Sequence, residues 1–195
     1  MDNSHTPARL IIPVSDGTIA ALDADSGVLI WQLNAPPVSV GQQVELIATP
    51  VVIHDKLVVS YQSVDKCVRN DHRLAVIDLQ AAQRDTRFPV LSFAAERPTS
   101  DKKSTVKFNP PTTFSHAALK HIAWPSSTNG LVYAAFGNAG DIQPFHGWLF
   151  EVDLDTWQRD GTAHAIRSVL LTTPEVDCPS KTEFCTQEMV CGGGS

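Results

Sequence analysis

Apolar and polar residues alternate along this chain in short runs that turn-forming residues interrupt. The segment AALDADSG (20–27) recurs as AVIDLQAA (75–82) and FEVDLDTW (150–157). Each joins an alternating apolar run to an aspartate, Asp23, Asp78 or Asp153, and then to a polar or turn segment. The flanks recur as well. LIIPVS (10–15), KLVVSY (56–61) and GLVYAAFG (130–137) precede the three segments; VLIWQLN (28–34), FPVLSFA (88–94) and RSVLLTT (167–173) follow them. IATPVVIH (47–54) and SHAALKHIAW (115–124) add a leading run to the second and third units. Runs of this length, rich in β-branched residues and bounded by turns, predict strands; no segment holds a 3.6-residue apolar period over twelve residues.

The predicted order within a unit is four strands, A to D, and the first unit lacks its A strand. Repeating four-stranded antiparallel units are the blades of a β-propeller, each burying its faces against its neighbours. The fold class is therefore all-β: an incomplete propeller of about three blades over residues 1–175, with units near 10–35, 47–95 and 115–174. Residues 176–195 form a Cys- and Gly-containing tail or the start of a further blade. The Asp-to-Asp intervals, 55 and 75 residues, are uneven. The excess falls in two predicted loops, QSVDKCVRNDH (62–72) and ERPTSDKKSTVKFNPPTTF (96–114).

Composition narrows the function classes. A chain of 195 residues supports one core. Its low charged fraction of 18%, with 13 prolines and 11 glycines, agrees with a turn-rich β protein. A net charge of −6 argues against a nucleic-acid partner, which needs a basic footprint. The longest apolar runs, such as LVV (57–59), fall far short of the roughly 18 residues that cross a bilayer, so no membrane span is expected. The first residues do not have the form of a signal peptide. Cys67 stands alone, while Cys178, Cys185 and Cys191 cluster near the end at spacings that match no zinc pattern. One disulfide among these three, or three reduced thiols in a loose tail, are both compatible with the spacing.

The string DGTIAALDADSGVLIW resembles the repeat of the pyrroloquinoline-quinone (PQQ)-type propellers, the quinoprotein alcohol dehydrogenase-like superfamily. Gly17, Ala21, Leu22, Asp23, Ala24, Ser26, Gly27 and Trp31 carry the likeness. ATPVVIHDKLVV (48–59) is similar to that family's A-to-B hairpin, and NGLVYAAFGNAGDIQPFHGWLFEVDLDTWQ (129–158) to a variant of its repeat. The resemblance implies eight blades, a central funnel holding the quinone with calcium, repeat tryptophans packed between blades, and repeat aspartates outside the catalytic set. Closed propellers need about four to eight blades. Three units therefore imply a segment whose partners are the remaining blades or another protein chain. A full-length member of such a family would be periplasmic or secreted; otherwise a cytoplasmic protein is expected.

Candidate chemistry is sparse. Asp23, Asp78 and Asp153 stand where a carboxylate accepts backbone N–H bonds and fixes the turn after strand C. Gly27 belongs to that turn, and Trp31, with Trp157 and Phe93 as weaker counterparts, is expected to pack between blades. The stretch GDIQPFHGW (140–148) gathers Asp141, His146 and Trp148 in a loop, a setting for ligand binding; the favoured reading is structural, with His146 bonding its own loop and Trp148 packing between blades. His54, His72, His116 and His121 are scattered, and no metal site is expected. No phosphate loop, nucleophile elbow or zincin motif occurs. Two functions follow: a non-catalytic binding or assembly scaffold, or a fragment of a PQQ-dependent dehydrogenase oxidising an alcohol or sugar with PQQ and calcium.

Overall fold

The computed structural model describes residues 8–34, 42–65, 68–139 and 145–174. Antiparallel sheets follow one another along the chain. The first holds β1 (Arg9–Pro13), β2 (Thr18–Asp23) and β3 (Leu29–Asn34), in that order. The second holds β4 (Gln43–Glu45), β5 (Val51–Ile53), β6 (Lys56–Asp65), β7 (Val68–Asp78), β8 (Gln83–Arg84) and β9 (Leu91–Ser92). There β4 and β5 both pair with β6, and β8 and β9 both pair with β7, so six strands fill four positions. A small hairpin of β10 (Glu96–Pro98) and β11 (Thr105–Lys107) leads to the last sheet. In that sheet β12 (Thr113–Phe114) and β13 (Lys120–Ile122) pair with β14 (Leu131–Asn138), which pairs with β15 (Trp148–Asp153), which pairs with β16 (Ile166–Leu171). The first, second and last sheets are three blades of an incomplete propeller.

Three features depart from the expected pattern. Residues 62–65 and 68–72, expected as loop, extend β6 and β7 into one long hairpin. Their polar side chains suggested exposure, yet Gln62, Ser63 and His72 are buried, each with a hydrogen-bond partner. The 96–114 segment is not a plain loop either: it holds β10, β11 and a 3-10 turn at Pro110–Thr112. Finally, β15 and β16 are joined through a helix, α1 (Leu154–Asp160), and a 3-10 turn at Gly161–His164 rather than through a hairpin. Seven residues are too few to display a helical apolar period. The helix is set by its ends, with Asp153 Oδ1 accepting from Thr156 N at 2.9 Å and Gly161 at φ 76° ending it.

The ladders put the three blades in one register. Arg9 lies opposite Asp23, Lys56 opposite Asp78, and Leu131 opposite Asp153. Counting from these pairs, Leu10–Leu22 corresponds to Leu57–Ile77 and Val132–Val152, and Ile12–Ala20 to Val59–Ala75 and Ala134–Phe150. Alternation then splits the second blade between its neighbours. Leu57, Val59, Tyr61, Ala75 and Ile77 form one cluster with Ile19, Trp31 and Leu33 of the first blade. Val58, Leu74 and Val76 enter the other cluster, with Val132, Ala134, Phe136, Phe150 and Val152 of the last blade. Phe88, Phe93 and Trp157 join that cluster; Phe88 meets Trp157 edge-on at 5.3 Å, and Trp157 Nε1 donates to Pro89 O at 2.7 Å.

Gly130 shows how tightly the last blade begins. Its φ is 78°, and a Cβ there would stand 2.5 Å from His121 Nε2 and 2.6 Å from the Ile122 carbonyl oxygen. Gly27 has a similar φ of 71° with no atom within 4 Å of such a Cβ. Gly130→Ala should lower the unfolding free energy by about 3 kcal/mol, and Gly27→Ala by only about 1 kcal/mol, in urea titrations. Equal losses would show that the contacts at Gly130 do not constrain the turn.

Candidate functional site

The polypeptide enters β15 through Phe145, His146 and Gly147, held against the end of β16 by a short ladder. Thr172 N donates to Gly147 O at 2.8 Å, and Gly147 N donates to Thr173 Oγ1 at 3.0 Å. Thr173 Oγ1 in turn donates to Phe145 O at 2.9 Å. His146 Nδ1 donates to Thr173 O at 2.9 Å, which fixes its tautomer and ties the half-buried ring to the segment after β16 rather than to its own loop. The imidazole and the buried Trp148 both line an open cleft of about 570 Å³. Asp141, grouped with them in the sequence, lies outside the described residues, as do Cys67, Cys178, Cys185 and Cys191 and the 176–195 tail.

The rest of the cleft comes from residues the sequence did not single out. The β11 segment supplies Lys107 and Phe108, the 3-10 turn supplies Asn109, Thr112 and Thr113, and the end of β14 supplies Asn138. The NPPTT string was the available signal, since paired prolines before hydroxyl residues make a tight turn whose side chains are held in place. The lining sets amide, hydroxyl, imidazole and ammonium groups over an apolar floor. Among the described residues the lining contains no carboxylate, and that donor set does not suit a calcium ion. Among the described residues no three of His, Cys, Asp and Glu come close enough to hold a metal.

Behind the cleft lies His72, whose Nε2 donates to the Thr113 carbonyl at 3.1 Å. Its ring meets Phe136 at 5.1 Å and Phe108 at 5.8 Å, both edge-on. Burial pushes its pKa down to about 4, against a smaller opposing pull from its bonds to the Thr113 and Pro110 carbonyls. Further along β6, burial pushes the Tyr61 phenol up to about 12. Neighbouring groups pair off: Gln62 with Glu45, Ser63 Oγ with Asp71 at 2.7 Å, and Arg73 with Asp71 at 2.6 Å. The Tyr61 hydroxyl, by contrast, is buried without a hydrogen-bond partner among the described residues.

The repeat residues occupy turns. Asp23 Oδ1 accepts from Ser26 N and Ser26 Oγ, both at 2.7 Å, and from Asp25 N at 3.1 Å. Asp78 Oδ1 accepts from Gln80 N and Ala81 N at 2.9 Å, and Asp153 caps α1. Gly27 follows Asp23's turn with its N–H bonded to Asp23 O at 2.8 Å. Trp31 packs on the cluster between the first two blades. Among the other histidines, His54 sits in the β5–β6 turn at φ 54°, His116 rests on Phe114 at 4.1 Å, and His121 bonds Asn129 O at 2.9 Å. None of these joins the cleft.

No family model matches the sequence, and no curated protein matches it. Solved structures do. A europium-containing methanol dehydrogenase aligns over 85% of this chain and 31% of its own, with TM-score 0.53 and 17% identity. A quinohemoprotein alcohol dehydrogenase from Pseudomonas putida HK5 aligns over 85% of this chain and 25% of its own, with TM-score 0.52 and 13% identity. BamB from Moraxella catarrhalis is also matched, over 85% of this chain and 47% of its own at 16% identity, with a TM-score of 0.35 that is too low to weigh. These two alignments show a shared fold, and the chain spans about a third or less of the length of either dehydrogenase.

His72 makes stability acid-sensitive. The folded protein keeps this ring neutral down to about pH 4, whereas the unfolded chain takes up its proton near pH 6.5. Unfolding therefore binds a proton between those values, and stability falls as the pH drops through that window, by on the order of 3 kcal/mol. Urea titrations from pH 7 to pH 4 should show this fall, and a shallower one in His72→Phe. Parallel profiles for the two proteins would remove His72 as the cause.

Proposed function

We propose that the chain is a propeller segment serving as a binding and assembly scaffold, completed by further blades or by another chain. The observation that carries this reading is the open face of the first blade. Leu10, Ile12, Ala20 and Leu22 hold the positions at which the second blade buries Leu57, Val59, Ala75 and Ile77, and the last blade buries Val132, Ala134, Phe150 and Val152. In the first blade the same positions are less covered: Leu10 is 54% exposed, Ile12, Ala20 and Leu22 are half-buried, and nearby Val28 and Leu29 are 64% and 52% exposed. Covering a large side chain of this kind contributes roughly 2 kcal/mol, so a face of several favours a partner strongly.

The opposite open face is different in kind. At the register position where the first two blades place Ile11–Ala21 and Val58–Val76, the last blade places Tyr133 and Glu151. The Tyr133 hydroxyl donates to Glu151, Arg167 pairs with the same carboxylate at 3.4 Å, and Arg167 lies over the Trp124 ring at 5.0 Å. A hydrogen-bonded, charged centre tolerates water where an apolar one does not, so the apolar face of the first blade is the stronger docking surface.

The competing reading, part of a PQQ-dependent dehydrogenase, draws on the names of the two aligned enzymes. Among the described residues the cleft offers no carboxylate to accompany calcium. Two measurements test the scaffold. The wild-type chain should bind an apolar dye and self-associate as concentration rises in sedimentation runs, and Leu10→Glu with Leu29→Glu should reduce both without lowering the unfolding midpoint. A dye-silent monomer at every concentration would sink the scaffold reading. Addition of PQQ with calcium should leave the thermal midpoint unchanged, and a saturable rise would favour the dehydrogenase reading instead.

A further inference from the structure

We infer that the outer edge of β1 is an acceptor for an antiparallel strand, supplied by the same partner that covers the first blade. This deepens the scaffold reading and rests on it for the partner, but its own evidence is the backbone ladder. Val14 N donates to Thr18 O at 2.8 Å, and Ala24 N donates to Ala8 O at 2.9 Å. Residues 14 and 18, and 8 and 24, are thus hydrogen-bonded pairs. Alternation along an antiparallel ladder then turns the N–H and C=O of Leu10 and Ile12 toward β2. Those of Arg9 and Ile11, with the carbonyl of Pro13, point to the opposite side. There β1 is the end of its sheet, without a partner strand among the described residues.

The other blades show what belongs on that edge. Opposite Lys56 and Val58, the equivalents of Arg9 and Ile11, stand Ile53 and Val51 of β5. Opposite Leu131 and Tyr133 in the last blade stand Ile122 and Lys120 of β13. The same three-residue register thus occurs twice, each time with isoleucine at its third position. Ile53 is buried in the cluster shared with the following blade. An incoming strand on β1 would place its third residue opposite Arg9, on the Ile11 side that packs toward the second blade. Arg9 does not obstruct it, because its guanidinium Nη1 donates to Leu79 O at 2.7 Å, on the second blade's turn. The fitting occupant is an extended segment of at least three residues with a β-branched apolar side chain opposite Arg9. Its affinity comes from main-chain bonds and its selectivity from that one side chain.

The chain's own β5 supplies the probe. The peptide ATPVVIHD, copied from residues 48–55, is added to the intact protein, and amide exchange is followed residue by residue by NMR. Saturating peptide should slow exchange at Arg9 and Ile11 by at least about tenfold, with little change at Leu10 and Ile12, whose amides are already in the ladder. A peptide N-methylated at the residues copied from Val51 and Ile53 should have no effect. Unchanged exchange at Arg9 and Ile11 under saturating ATPVVIHD would overturn the inference. So would prior protection of both amides in the protein alone: if independent of concentration, the chain covers its own edge, and if it grows with concentration, a second copy does. The edge result is independent of dye binding and of sedimentation, so a failure here is distinguishable from a failure of face docking.

Discussion

Everything in this fold depends on the second blade burying both of its faces. A sheet residue points one way and its neighbour the other, so a single pair of strands, β6 and β7, must satisfy two interfaces at once. Leu57 and Ile77 meet the first blade, while Val58 and Val76 meet the last. This explains the consecutive apolar residues Leu57 to Val59 in β6 and Leu74 to Ile77 in β7. It also makes the register unforgiving, because a slip of one residue would exchange the two sets of neighbours.

The junction with the last blade is the better built of the two. It gathers Phe93, Phe108, Phe136, Trp148 and Phe150 in edge-on or stacked contacts between 4.8 and 6.3 Å. Trp157 adds a hydrogen bond across the junction to the Pro89 carbonyl. Asp155, on the same helix, accepts from Ser127, Thr128 and Asn129, and although burial pushes its pKa up, these bonds outweigh it and hold the carboxylate below its usual range. The helix that replaces a simple hairpin thus anchors one blade to another at one face and orders the β13–β14 connection at the other. The cleft lies over this aromatic floor, with Phe108 and Trp148 in its lining.

Strands whose alternation is apolar against polar were legible in the sequence: β2 and β15 were placed by their patterns, and the repeated aspartates led to the common register. The far half of the β6–β7 hairpin was not legible, because Gln62, Ser63 and His72 are polar residues buried by partners distant in sequence, such as Thr113. The helix escaped because its cause is a cap and a terminating glycine rather than a period. Of the candidate ligand residues, His146 and Trp148 line the cleft, but most of its wall comes from residues 105–113, where two prolines and several threonines read as linker. A cleft assembled from loops of different units leaves little trace in any one stretch of sequence.

Pro13 gives the open edge of β1 a limit. Its nitrogen carries no hydrogen, so beyond Ile11 the outward side of the strand offers no further donor before the turn at Ser15, whose carbonyl is already taken by Leu46 N. The edge can seat a short strand but cannot propagate a long one. Fibril growth needs an uninterrupted row of donors and acceptors repeated from chain to chain. A single imino acid therefore lets the blade stay open to its proper complement while denying a template to indiscriminate stacking.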